Sequence, residues 1–498
     1  MTVDTVVRTK RGALRGRTAD GVTAFKGVPY AAPPFGPQRL AAPQPPERWD
    51  GVRDAFAYGP TAPHPGYAPP YDVLLPDPVI PGADCLNLNV WTPDAATGGL
   101  PVMVWIHGGA FVNGSGAVPT YDGTRFARDG VVLVTINYRL GAEGFLWLED
   151  GVNNRGLLDQ LAALEWVHEN IAAFGGDPAA VTVFGESAGA MSIGALLATS
   201  RSAGLFGRAI LQSGAGHHAI TPATARLVTA ELARRAGIAP ATAAFAATDP
   251  AELLAAQVAV VEDAQLDPDP QRWGEVVANL MAFEPVVDGV LLDDLPLRSM
   301  AAGAAAGVDV LAGTTSDEHR LFLVPTGVAD AVPDAALADI VAAYGLDAEP
   351  ALAGYRAARP GATAGELLAD VLTDWFFRIP SVRVAEARAA AGTGASWQYE
   401  FAWASPQLDG RLGACHAIEV PFVFDALDDA SGVPLLGEHP PQLLADEVHA
   451  AWVAFAATGD PGWAPYDLDR RAVMRFDAAS AVVEDPRPET RRLWDGVR

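Results

Sequence analysis

Residues 181–184 (Val-Thr-Val-Phe) form an apolar run rich in β-formers, and residues 190–198 form a run of good helix formers. Between them stands Gly185-Glu186-Ser187-Ala188-Gly189, the one G-x-S-x-G of the chain. A strand that must turn into a helix within so few residues leaves no room for side chains beside the turn, so glycine at both ends is a steric demand. The turn lifts the Ser187 hydroxyl above the sheet edge and aims a helix N-terminus at it, where developing negative charge is favoured.

The surrounding sequence repeats this grammar. Residues 102–106, 131–136 and 209–212 are further apolar runs, and residues 157–173 carry apolar side chains at helical spacing. Continuous apolar strands separated by helices predict a mostly parallel sheet covered on both faces. Residues 59–84 are crowded with proline and have no period, which predicts a long surface loop. Residues 222–265 and 331–392 are alanine-rich and helix-prone, and are expected to cap the sheet. With no internal repeat and no linker, residues 1–498 read as one domain with helical insertions.

Composition narrows the partners. A formal net charge of −26 repels nucleic acid and anionic lipid, and no apolar run approaches the length of a membrane span. The first ten residues hold no apolar stretch of the secretory type, and the two cysteines, Cys85 and Cys415, offer no disulfide framework. A cytoplasmic protein acting on a small molecule is the expectation, monomeric or homodimeric.

His107-Gly108-Gly109-Ala110-Phe111 directly follows the run 102–106. Small residues let backbone N–H groups converge on a carbonyl oxygen that is gaining charge, and the donors expected are those of Gly109, Ala110 and Ala188. No lysine followed by serine or threonine stands behind this loop, which excludes a phosphate cradle of the P-loop kind. A serine so mounted needs a base and an acid. In α/β-hydrolases the three follow in the order serine, acid, histidine, which leaves His319, His416, His439 and His449 of the nine histidines. His416 sits in a small-residue loop before the apolar run 420–424, read here as a buried strand, and so fits a general base best. His439 stands among prolines and His449 on an amphipathic helix, and both read as surface residues.

At this point a family resemblance is visible. Residues 25–34 (Phe-Lys-Gly-Val-Pro-Tyr-Ala-Ala-Pro-Pro), Arg39, residues 84–91 (Asp-Cys-Leu-Asn-Leu-Asn-Val-Trp), 137–141 (Asn-Tyr-Arg-Leu-Gly), 156–160 (Gly-Leu-Leu-Asp-Gln), 174–178, 285–289, 313–318, 416–422 and 455–461 occur in order along nearly the whole chain. Together with the serine turn they resemble the type-B carboxylesterase and cholinesterase family, especially its bacterial para-nitrobenzyl-esterase-like members. The resemblance implies the α/β-hydrolase fold, a central mostly parallel sheet flanked by helices with helical caps. It also implies a serine carboxylesterase of neutral esters working through an acyl-enzyme, with Ser187, Glu318 and His416 as catalytic residues and neither cofactor nor metal. Some relatives have lost the serine and act as adhesion or binding proteins, a reading the intact Ser187, Glu318 and His416 oppose. An acyltransferase or amidase on the same residues stays open.

The chain departs from the family pattern in places. His319 replaces a glycine after Glu318 and is read as structural, while the doublet His217-His218 is expected to line the acyl side rather than a metal. Cys85 lacks the upstream partner that closes the proline-rich loop in animal members, so that loop is expected to be untethered. Leu75 stands near the place of the tryptophan that holds choline in cholinesterases. Ala83 replaces a glutamate, which would leave Arg39 without its usual partner.

Overall fold

The computed structural model describes residues 3–498. Its strands are β1 (Val3–Arg8), β2 (Ala13–Ala19), β3 (Val22–Pro29), β4 (Val52–Asp54), β5 (Asn87–Thr92), β6 (Leu100–Ile106), β7 (Val132–Ile136), β8 (Gly176–Glu186), β9 (Arg208–Gln212), β10 (Asp309–Thr315), β11 (Ser396–Phe401), β12 (Ala472–Phe476) and β13 (Ala481–Glu484). They join one sheet in the order β1-β2-β3-β5-β7-β6-β8-β9-β10-β11-β12-β13, with β4 beside β2. From β7 to β12 every pairing is parallel, and the two ends of the sheet are antiparallel.

The parallel centre explains the apolar runs. Val104 of β6 pairs with Val134 of β7 on one side and Val183 of β8 on the other, and all three are fully buried. Helices cover both faces, so neither face can afford polar side chains. The helices α1 (Arg155–Asn170) and α2 (Ala188–Ala198) pack here. The segment Asn137–Gly141 is anchored by Arg139, whose Nε and Nη2 donate to the two Asp159 oxygens at 2.7 Å each, in full burial. Such a bidentate pair fixes direction as well as distance.

The two insertions are helical as expected. Pro222–Ala236 and Pro250–Leu266 start on Thr221 and Asp249, whose side chains accept the N–H groups of Thr224 and Ala251. In the second insertion Thr363 and Glu366 close a reciprocal capping box at the start of Ala364–Thr373. That helix runs into a π-helical turn, Asp374–Arg378, before Ile379–Ala391. Asp374 and Arg378 form a buried ion pair inside it, with bonds of 2.5 and 2.6 Å.

Two local expectations fail. The run 420–424 is a helical turn, Val420–Val423, with Pro421 in its first turn, and not a strand. A short apolar run has no period to tell the two apart, and a proline is favoured where a helix begins. Arg39 does have a partner. Its Nε and Nη2 reach Glu143 Oε1 at 2.9 and 2.6 Å, so a different carboxylate supplies the charge that residue 83 lacks.

Candidate active site

The C-terminal ends of parallel strands carry the site, as expected for an open α/β sheet. β8 ends at Glu186, and Ser187 holds φ 54° and ψ −124° before α2 begins. A left-handed φ on a non-glycine residue is strained and persists only when its surroundings impose it. Here they do. Ser187 N donates to Gln212 O at 2.9 Å, and Ser187 O accepts from Met191 N at 2.9 Å. The flanking glycines are obligatory for the reason the sequence gives. A Cβ on Gly185 would lie 2.5 Å from Ile106 O, and one on Gly189 2.0 Å from it.

The loop after β6 presses against this turn. A Cβ on Gly108 would lie 2.8 Å from Glu186 O and 3.0 Å from the Ser187 Cβ. Gly109, Ala110 and Phe111 all take positive φ (110°, 52° and 62°), and a side chain on Gly109 would strike Asn113 O at 2.2 Å. Among the described residues no protein oxygen accepts from the N–H groups of Gly109, Ala110 or Ala188. Three unspent donors beside a serine hydroxyl can hold an oxyanion. Tyr138 braces the loop from below, stacking on the His107 ring at 4.5 Å and donating its hydroxyl to His107 O at 2.8 Å.

His416 and Glu318 meet as expected. His416 Nδ1 donates to Glu318 Oε2 at 2.6 Å, and Glu318 Oε1 accepts from Thr315 N at 2.9 Å. Both residues are buried. Asp317 turns away instead. Its Oδ2 accepts from Ala414 N at 3.1 Å and its Oδ1 lies 3.0 Å from Arg320 Nη2, so it ties the loop bearing His416 to the loop bearing Glu318. Ser187 and His416 line one cavity, although no hydrogen bond joins Oγ to Nε2 among the described residues. Such bonds are often long before substrate enters.

Two carboxylates the sequence reading missed surround this pair. Glu186 Oε1 lies 2.9 Å from His416 Nε2, bent off the hydrogen-bond axis. It therefore acts on the ring's charge without occupying the direction along which Nε2 exchanges a proton. Burial on its own lowers the His416 pKa, but Glu186 and Glu318 outweigh it and hold the imidazole well above its usual range. Glu419 is fully buried with neither oxygen hydrogen-bonded, and burial, reinforced by the charges of Glu186 and Glu318, pushes it up to about 8. Neither glutamate has a sequence signal of its own, because the x positions of G-x-S-x-G carry no steric requirement.

These charges make a pH prediction. An imidazole held in its charged form cannot take a proton from serine, so esterase activity should rise with pH until His416 is neutral. Glu186→Gln removes the nearest source of that bias, and the acidic limb of kcat/KM should move to lower pH. An unmoved limb in a pH–rate profile would show that Glu186 does not act on the base.

The remaining candidates divide cleanly. His319 is buried among the rings of Phe322, Phe376 and Phe377 and touches no polar partner. His218 places Nε2 3.0 Å from Phe376 O, and burial lowers its pKa to about 3. The π-helical turn thus carries a wall of rings whose last member, Phe377, stacks 4.6 Å from His416. His439 is exposed, but His449 is not. It is buried against Phe126 at 4.3 Å with Nδ1 on Val423 O, a correction that follows from its facing the sheet rather than solvent. Cys85 and Cys415 are free, buried thiols raised by that burial.

A cavity of about 150 Å³ opens over Ser187. Gly108, Gly109, Ala110, Glu186 and His416 form its floor, and Leu74, Leu75, Pro76, Val118, Val420 and Leu435 give it apolar walls. A space of that size holds about one aromatic ring or a short alkyl group. Among the described residues no helix is long and apolar enough to cross a membrane.

Comparison with known proteins agrees with this geometry. Residues 3–494 match the model of the carboxylesterase family. The chain is 39% identical to the para-nitrobenzyl esterase of Bacillus subtilis, with 98% of each chain covered. It is 38% identical to the phenmedipham hydrolase of Pseudarthrobacter oxydans, over 96% of this chain and 97% of that one. Among solved structures it superposes on the Geobacillus stearothermophilus carboxylesterase EST55 with a TM-score of 0.86 at 40% identity, covering 98% and 100% of the two chains. The chain belongs to the carboxylesterase family. It has the α/β-hydrolase fold and is a carboxylic-ester hydrolase.

Proposed function

We propose that the chain hydrolyses neutral carboxylic esters of small apolar alcohols, with Ser187 as nucleophile, His416 as general base and Glu318 as its orienting acid. The observation that carries this reading is the 2.6 Å bond from His416 Nδ1 to Glu318 at the rim of the cavity that holds Ser187. His416 Nε2 takes the Ser187 proton as Oγ attacks the ester carbonyl carbon. The carbonyl oxygen gains charge and rests on the N–H groups of Gly109, Ala110 and Ala188. The C–O bond to the alcohol then breaks, and the alcohol leaves with the proton from His416. Water repeats the exchange on the acyl-enzyme, returning the acid and free Ser187. Glu318 keeps Nδ1 protonated and stabilises the imidazolium, and Glu186 adds to that stabilisation.

Every group in this sequence is supplied by residues 1–498 as one catalytic unit, and no step calls on a cofactor or metal. Two buried reduced thiols and the acidic surface fit a cytoplasmic enzyme, monomeric or homodimeric. A panel of esters tests the substrate class. Leu75 on the cavity wall offers no π face to a cation, so a choline ester should show kcat/KM about thirtyfold below its neutral 3,3-dimethylbutyl isostere. A choline ester that beats the isostere at moderate ionic strength would overturn the neutral-alcohol reading.

A further inference from the structure

The proline-rich segment 59–84, which the sequence reading leaves untethered, is tied at three levels. At its base Thr61 N donates to Ile80 O at 2.9 Å and Ile80 N to Thr61 Oγ1 at 3.2 Å. At its tip the Tyr71 hydroxyl donates to Phe322 O at 3.0 Å. Between them His64 Nδ1 lies 3.2 Å from Asp77 Oδ2, with side chains 0% and 4% exposed. This third tie is the unusual one. Neither His64 nitrogen and neither Asp77 oxygen makes a hydrogen bond, so the pair rests on charge attraction alone in a site closed to water.

A buried ion pair of this kind is a poor source of stability. Removing both charges from water costs several kcal/mol for each ion, and apolar residues of the same volume would pack there at least as well. What charge attraction supplies and apolar packing does not is register, because it selects one approach of the two strands of the loop. The positions that benefit are plain. Tyr67, Leu74, Leu75 and Pro76 line the cavity over Ser187, and all four lie between His64 and Asp77 in the chain. The pair is the neck of a compact loop whose body is one wall of the active site.

The wall faces the leaving group. The alcohol oxygen must take its proton from His416, and the loop meets across the cavity the segment that follows this histidine, through Ala417, Val420 and Pro421. We propose that His64 and Asp77 are positioning residues that set the alcohol specificity of the esterase, by clamping the loop so that the wall fits one uncharged ring. The proposal rests on the catalytic roles given above to Ser187 and His416.

The test compares benzyl and methyl esters of one acid, and separately benzyl esters of acids of increasing length. His64→Asn and Asp77→Asn should each lower the benzyl-to-methyl ratio of kcat/KM about tenfold, mainly through KM for the benzyl ester, and leave methyl-ester kcat unchanged. The exchanged pair, H64D with D77H, should restore much of the ratio, which a role in packing volume alone would not do. The acyl-length series should be unaltered throughout. Asp77→Glu, which keeps the charges and moves the neck by one methylene, should shift the ratio even where the neutral variants do not fold. Stoichiometric titration of each variant with an organophosphonate separates the two readings, since a failed catalytic assignment abolishes titration and a failed clamp does not. An unchanged benzyl-to-methyl ratio in titratable His64→Asn or Asp77→Asn, or a change confined to the acyl series, would overturn the proposal.

Discussion

Ser187→Ala should lose roughly 10⁴- to 10⁶-fold in kcat for any ester the wild type turns over, with a residue of catalysis from the oxyanion donors alone. An organophosphonate should label the wild-type chain once, at Ser187, and leave the alanine variant unlabelled. The backbone adds a second, independent signature. With φ at 54° and ψ at −124°, residue 187 stores strain that a glycine would not feel. Ser187→Gly should therefore be as inactive as Ser187→Ala yet more resistant to heat, because the turn no longer forces a side chain into a disfavoured region. Turnover by either variant, or labelling at another serine, would remove Ser187 from the mechanism. A glycine variant that melts below the alanine variant would show that relief of strain does not govern the stability of this turn.

That the strain lies at this residue was legible before the fold was known, since only a turn tight enough to need glycine on both sides would be written Gly-x-Ser-x-Gly. The same holds for the central strands. Runs 102–106, 131–136 and 209–212 match β6, β7 and β9 within two residues, because a strand buried on both faces must be apolar throughout. β8 begins at Gly176, earlier than its apolar run, since its first residues are only half covered. The failures share a different cause. The turn Val420–Val423, the burial of His449, the Arg39–Glu143 pair and the His64–Asp77 neck all depend on what lies across a gap in space. Ordinary pairing rules see neighbours in the chain, and these partners are separated by anything from thirteen to over a hundred residues. Glu186 and Glu419 belong to the same group. Nothing about a lone glutamate near a serine or a histidine announces that its environment will be dry, and dryness is what gives both carboxylates their influence on the base.

Position along the chain separates Asp317 from Glu318 by one residue, and the structure separates their work. Glu318 gives one oxygen to His416 Nδ1 and the other to Thr315 N, inside the protein and away from water. Asp317 spends its carboxylate on Ala414 N, Ser316 Oγ and Arg320, all of which concern where the His416 loop sits. Glu318→Gln keeps the shape and both contacts but loses the charge that holds the imidazolium, and its amide can present N–H where Nδ1 needs an acceptor. That change should cost about 10³- to 10⁴-fold in kcat with little change in KM. Asp317→Asn should retain most of the turnover and lose about 1–3 kcal/mol of stability, the usual cost of weakening hydrogen bonds to a charged, largely buried acceptor. The two effects are read by kcat and melting temperature on the same pair of variants. If Asp317→Asn abolishes turnover at an unchanged melting temperature while Glu318→Gln stays active, the acid of the triad is Asp317, and the 2.6 Å bond to His416 is structural.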